Sequence, residues 1–298
     1  MPRPLVTALV RTYQCAPTLA LAVASVLAQT MDDLECLIVD DGSSDGTEEL
    51  VASFSDRRIR YLRHAQNRGR AAARKTGLNE ARGEYVGLLD ADDWWYPRKL
   101  ERQVQVLRAE PSLPLVSCAM VLFDPSFRPL GVEQVKPGAP PLVRFQPLSA
   151  PAPAPVPNPP SLLRTEIARR VNTDLSLPRC EDFDFILPVL LNSPFALLSE
   201  VLYAYALPEA IRHRVHAESA RSARRVYAKY LLTHPLASLR RQGECLLKEA
   251  AYAVSARLGQ DGRPLRRRGR PPLEEERKSF EAALSEVKNS LSHLVPTG

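Results

Sequence analysis

Over the first hundred residues, short apolar runs alternate with longer stretches of helical character. The runs are 5–10 (LVTALV), 34–40 (LECLIVD), 58–63 (RIRYLR) and 84–90 (EYVGLLD), and the intervening and following stretches are 17–29, 44–54, 70–81 and 97–109. Parallel strands need a long crossover, usually a helix, because a tight turn can only join antiparallel ones. The alternation therefore predicts βαβ units: an α/β fold with a mostly parallel sheet flanked by helices. Local signals agree. SDGTEEL supplies cap-like residues and early acids for the second helix. Gly83 stands just past the third helix, and Pro97 opens the fourth.

Ligands of such sheets sit beyond the carboxyl ends of the strands. Two strands end there in clustered acids, Asp40 and Asp41 in LIVDDGSS, then Asp90, Asp92 and Asp93 in GLLDADD. One Asp/Gly cluster at a strand-to-helix turn is ordinary turn chemistry. Two at the ends of one sheet, expected along a single crevice, repel each other unless a cation or a set of donors intervenes. Hard oxygen ligands at D-x-D spacing suit Mg2+ or Mn2+ bridging a diphosphate.

Past residue 112 the pattern loosens. Residues 113–124 read as a strand, and a proline-rich tract over 137–160 reads as a surface loop. Residues 181–192 (EDFDFILPVLLN) read as a helix broken near Pro188, and FALLSEVLYAYAL contains a strand. The rest is helical over 217–242, 244–258 and 273–294, with the basic connector GQDGRPLRRRGRPP before the last helix. The expected division is a first domain over 1–216 (halves 1–124 and 125–216) and a helical C-terminal extension over 217–298.

The net charge of +6 favours an anionic partner: nucleic acid, a membrane face or a phosphate-bearing substrate. The sequence carries no RNA-recognition or helix-turn-helix signature, and no aromatics interleave the basic connector, which argues against nucleic acid. Five scattered cysteines without a C-x-x-C pair read as free thiols, not a zinc site. No apolar run is long enough to span a bilayer and no leader is evident, so a cytoplasmic location is expected. Residues 263–270 are a candidate for peripheral contact with anionic lipid, and the C-terminal helices for self-association.

The segments VRTYQCAPTLALAVASVLAQTMDDLECLIVDDGSSDGT and NRGRAAARKTGLNEARGEYVGLLDADDWWYPRKLE, in that order and spacing, resemble the N-terminal half of the family 2 glycosyltransferases. Weaker likeness continues through SLLRTEIARRV, EDFDF and RHRVHAES to about residue 222. The resemblance implies a GT-A-type Rossmann-like fold and inverting, metal-dependent transfer from a nucleotide-diphosphate sugar, a UDP-sugar first of all, to a glycan, lipid-linked or protein acceptor. The same resemblance also allows a catalytically silent nucleotide-sugar-binding or scaffolding subunit of an envelope-polysaccharide system. It implies that Thr12, Tyr13, Asp40, Asp41, Arg74 and Asp90 hold the donor, with Tyr13 stacking on the base and Asp41 accepting from its N–H. Asp92, with Asp90 and His216, would hold Mn2+ or Mg2+, and Arg214 would close with His216 over the diphosphate. Asp182 would be the general base, with Glu181, Trp94 and Trp95 on the acceptor side. The chain departs from the family pattern at Arg11, where proline is usual, and at Leu187-Pro188, where W or L precedes arginine.

Overall fold

The structure, a computed structural model, describes residues 3–207, 213–258 and 269–294. Its parallel half comprises β1 (Val6–Thr12), α1 (Ala16–Leu27), β2 (Leu34–Asp40), α2 (Thr47–Ala52), β3 (Ile59–Arg63), α3 (Arg70–Glu80) and β4 (Tyr85–Asp90). Next come β5 (Trp94–Trp95), α4 (Lys99–Ala109), β6 (Leu115–Phe123), β7 (Pro129–Glu133), β8 (Leu142–Phe145), β9 (Leu162–Arg164) and α5 (Thr165–Arg170). The chain continues through α6 (Glu181–Asn192), β10 (Phe195–Ala206), α7 (His213–Ala228), α8 (Pro235–Arg257) and α9 (Glu274–Leu294).

The strands form one sheet in the order β3-β2-β1-β4-β9-β6-β10-β5, with β7 on β6 and β8 on β10. The first four pair in parallel, while β9 runs antiparallel to both β4 and β6. Every residue of β1 and β2 is buried, as expected of strands covered on both faces. From β1 the chain crosses to β2 on one side and later reaches β4 on the other. The crevice between the ends of β1 and β4 is therefore the topological switch point, where such sheets take ligands. Register sets what meets there: Thr12 lies opposite Asp40, and Arg11 opposite Asp90.

Three expectations are corrected. The proline-rich tract is irregular apart from β8, but its end is buried rather than superficial. Prolines lack an N–H yet keep their carbonyls: Gln103 donates to Pro160 O at 2.8 Å, and Ser117 to Pro157 O at 3.2 Å. Helix α6 runs unbroken through Pro188, because Phe185, Ile186, Leu187 and Leu190 are buried around the missing hydrogen bond. The break between the long helices falls at residues 229–234, before Pro235, and Gly243 lies inside α8.

The C-terminal helices divide. Helix α8 packs along α7, whereas α9 returns to α1. Phe280 of α9 is fully buried with its ring 5.2 Å from Trp94, so α9 completes the core of the first domain. No helix among the described residues is long and apolar enough to cross a membrane. Of the basic segment 263–270, only Gly269 and Arg270 are described. Arg270 pairs with Glu276 at 2.5 Å and bridges to Val132.

Candidate active site

A cavity of about 380 Å³ opens at the switch point, lined among others by Arg11, Thr12, Tyr13, Asp41, Gly69, Arg70, Asp90, Asp92, Arg179 and Glu181. Asp41 from the turn after β2 and Asp92 from the turn after β4 thus share one wall system. A larger cavity of about 480 Å³ lies between α9 and the start of α4, but its charged lining is chiefly glutamate and neither acidic strand end reaches it.

Asp40 and Asp41 part company because successive strand residues point to opposite faces. Asp40 is fully buried away from the cavity. It accepts from Ser43 N (2.9 Å), Ser43 Oγ (2.6 Å) and the Tyr61 hydroxyl (2.6 Å), tying the turn to β3. The expected donor contact through Asp40 is corrected to this structural role. Asp41 accepts from the backbone N–H of Arg68 at 2.9 Å and of Gly69 at 2.7 Å, and its Oδ1 lies 2.7 Å from His64 Nδ1. It holds the loop before α3 against the cavity, and its Oδ2, with one of these bonds, keeps an acceptor direction open. Gly42 makes the turn possible: its φ is +81°, and a Cβ there would lie 2.7 Å from the Gln66 carbonyl carbon.

The second acidic cluster divides similarly. Asp90 receives Arg11 Nη2 at 2.5 Å. Asp92 is exposed on the cavity wall, and partial burial together with the charge of Asp90 pushes its carboxyl pKa up. Asp93, expected along the crevice, is buried. It accepts from the Tyr203 hydroxyl at 2.6 Å and Ala206 N at 2.8 Å, which ties the turn to β10, and burial raises its pKa well above the usual range.

Trp94 and Trp95 do not face an acceptor. Both pair with β10 and are fully buried, and the Trp95 ring fills the space that a Cβ at Gly87 would occupy. Lys99 lies beneath, its Nζ 4.2 Å from the Trp95 centroid, with burial lowering its pKa to about 8. His216 stacks on Tyr252 of α8 with centroids 5.2 Å apart, and Arg214 is exposed on α7. Neither lines the cavity, and no group of three His, Cys, Asp or Glu residues among the described residues forms a ready-made metal cage. The expected His216 ligand is therefore not brought to Asp90 and Asp92.

The sequence reading missed Arg11, Arg70 and Arg179 as cavity cations. Arg74, expected at the diphosphate, is fully buried below the cavity. It donates to Asp182 Oδ1 at 2.6 Å and to the Glu181 carbonyl at 2.7 Å, with its guanidinium 4.5 Å over Phe185. The signal for Arg70 was available, since it stands one helical turn before Arg74 at the N-terminus of α3. That helix end and an arginine together favour anions.

Glu181 and Asp182 open α6 after Cys180, whose φ of +59° lies in the left-handed region. Burial alone would raise the Asp182 pKa. Arg11 (3.6 Å) and Arg74 more than offset it, leaving the carboxyl below its ordinary value. These cations and Asn158 Nδ2 (3.0 Å) all address Oδ1, while Oδ2 accepts none of their bonds. Glu181, on the cavity wall, is pushed up by burial and then by Asp182. Of this pair, Asp182 keeps its charge and Glu181 protonates first.

A sheet that is parallel on one side and mixed on the other, with a crevice at its switch point, is an α/β fold of the GT-A class. Residues 7–134 match the sequence pattern described as Glycosyl transferase family 2, so this part of the chain is similar to that family. It is 40% identical over 103 residues to the Escherichia coli UDP-Glc:alpha-D-GlcNAc-diphosphoundecaprenol beta-1,3-glucosyltransferase WfgD, covering 35% of this chain and 41% of that one. It is 27% identical over 240 residues to the uncharacterized glycosyltransferase MJ1057 of Methanocaldococcus jannaschii, covering 78% and 80%. The chain spans about two fifths of the length of the first curated relatives it matches, 41% and 42%. Among solved structures, S. aureus TarS 1-349 in complex with UDP-GlcNAc superposes with a TM-score of 0.60 at 17% identity over 96% of this chain and 81% of that one. The mannosyltransferase PcManGT from Pyrobaculum calidifontis, in complex with GDP-Man and Mn2+, gives 0.55 at 18% identity over 98% and 87%. At these identities the structural likenesses establish the fold.

Proposed function

We propose that this chain is an inverting glycosyltransferase that moves a sugar from a nucleoside diphosphate, uridine diphosphate first of all, to a hydroxyl of a glycan or lipid-linked acceptor. The observation that carries the reading is the meeting of Asp41, Tyr13, Arg70, Asp92 and Glu181 around one cavity at the switch point. WfgD, by its name, takes UDP-Glc and a diphosphoundecaprenol-linked acceptor, which supports both halves of the proposal.

In this reading Tyr13, 44% exposed at the cavity rim, stacks on the base, and the open acceptor direction of Asp41 Oδ2 takes its N–H. Arg70 and the N–H groups opening α3 receive the diphosphate. Asp92, a cavity carboxylate with a raised pKa, fits the donor set of a divalent cation, with Asp90 beside it. A bound Mg2+ or Mn2+ would supply charge neutralisation for the departing diphosphate. Asp182 takes the acceptor proton through Oδ2 while Arg74 and Arg11 fix the carboxylate from the other oxygen. Glu181 orients the acceptor. A cytoplasmic protein working at the inner membrane face suits a lipid-linked acceptor.

The test is Asp182→Asn, followed by donor hydrolysis and by donor binding. Binding is retained and turnover falls by about 10²–10⁴-fold, the usual size of a general-base contribution. Retained turnover in the variant would reject Asp182 as the base. Loss of binding together with turnover would recast it as part of the donor site.

A further inference from the structure

Helix α8 packs against α7 through one face only. Ser238 donates to Tyr227 O at 2.6 Å, and Cys245 is buried on the same side. Its opposite face is exposed and mostly apolar, interrupted by Arg240, which pairs with Glu244. Leu232 in the preceding turn is 96% exposed, Leu236 83% and Leu247 74%, and Leu239, Leu246 and Val254 extend the surface along the helix. Leu236, Leu239, Gly243, Leu246 and Ala250 follow three- and four-residue spacing, so they form one stripe. Over 23 residues it reaches about 35 Å. Monomeric soluble proteins rarely leave an apolar surface of that extent uncovered.

Charge selects the occupant. The two acids of α8 are already neutralised: Glu244 pairs with Arg241 at 2.7 Å and Arg240 at 3.1 Å, and Glu249 with Arg221 at 2.7 Å. Lys248 and Arg257 are exposed and have no acid partner among the described residues. A second copy docking symmetrically would set this basic rim against itself. An anionic lipid surface accepts both parts, the leucines at the acyl boundary and the cations among the headgroups.

We infer that the exposed leucine face of α8, flanked by Lys248 and Arg257, seats the protein on an anionic membrane surface. This surface is separate from the nucleotide cavity, and its failure would leave the proposed transferase activity untouched.

The experiment is co-sedimentation of the full chain with vesicles of phosphatidylcholine alone and of phosphatidylcholine mixed with phosphatidylglycerol, beside the double variant Leu236→Gln/Leu247→Gln. Both leucines are exposed, so the variant should melt with the parent. The parent binds the mixed vesicles and binds the neutral ones weakly or not at all. The variant binds the mixed vesicles at least about tenfold more weakly. The inference is overturned by no binding, by equal binding to both vesicles, or by undiminished binding of the variant, which would assign the contact to basic residues alone. A parent that is dimeric in solution, with a monomeric variant and no vesicle binding, would assign the face to a second copy instead.

Discussion

Replacing Arg11 by methionine removes the cation that joins the two acidic motifs while keeping a long apolar stem. In the native chain its Nη2 lies 2.5 Å from Asp90 and its Nη1 3.6 Å from Asp182, with the arginine side chain 5% exposed. Breaking a fully buried ion pair costs about 3–5 kcal/mol. Here Asp90 and Asp182 are 33% and 29% exposed, so water can solvate what is left, and the cost is reduced. The arginine also buries Nε and Nη1 without a hydrogen-bond acceptor, and their removal offsets part of the rest. The net loss should be about 1–2 kcal/mol, a fall in Tm of roughly 2–5 °C for a chain of this size.

Its pH dependence identifies the cause. Burial raises the Asp182 pKa, and Arg11 and Arg74 lower it further than burial raises it, so the folded value lies below the unfolded one. Such a group adds stability that is present above its unfolded pKa of about 3.9 and is lost as pH falls through the folded value. The deficit of the methionine variant is therefore full above about pH 5 and shrinks below about pH 4. Calorimetric or fluorescence melting across this range reads it directly. A variant as stable as the parent at neutral pH, or a deficit unchanged in acid, would refute the electrostatic account of Arg11.

Two packing predictions need only a melting curve and a donor-binding assay. Gly42→Ala places a Cβ against the Gln66 backbone at a φ of +81°, so it should destabilise by about 1–3 kcal/mol and weaken donor binding by displacing the loop that Asp41 holds; unchanged binding would detach that loop from the site. Phe280→Ala empties the space beside Trp94 and Phe123 and should cost about 3–5 kcal/mol; a loss below about 1 kcal/mol would mean that α9 is not part of the first domain's core.

Much of the fold was legible because local signals and global pattern coincide. The run Leu34–Asp40 has the predicted bounds, and the βαβ alternation places Asp41 and Asp92 at one end of one sheet. What escaped was set by distant partners. Two-residue β5 and three-residue β9 exist only through pairing with β10, β4 and β6, and no periodicity marks so short a strand. The burial of Trp94 and Trp95 depends on β10 and α9, more than a hundred residues onward. Arg74 meets Asp182 across 108 positions, so an arginine one turn too deep was read as the cavity residue instead of Arg70. At the helix break the legible signal was Pro235 at the first turn of α8, which outweighs an interior glycine such as Gly243.

The central claim is tested most directly by titrating the protein with uridine diphosphate in the presence and absence of Mn2+, alongside Asp92→Asn. The claim predicts heat of binding that strengthens with the cation in the parent and loses that dependence in the variant. No detectable binding under either condition, or the same cation effect in Asp92→Asn, would contradict it.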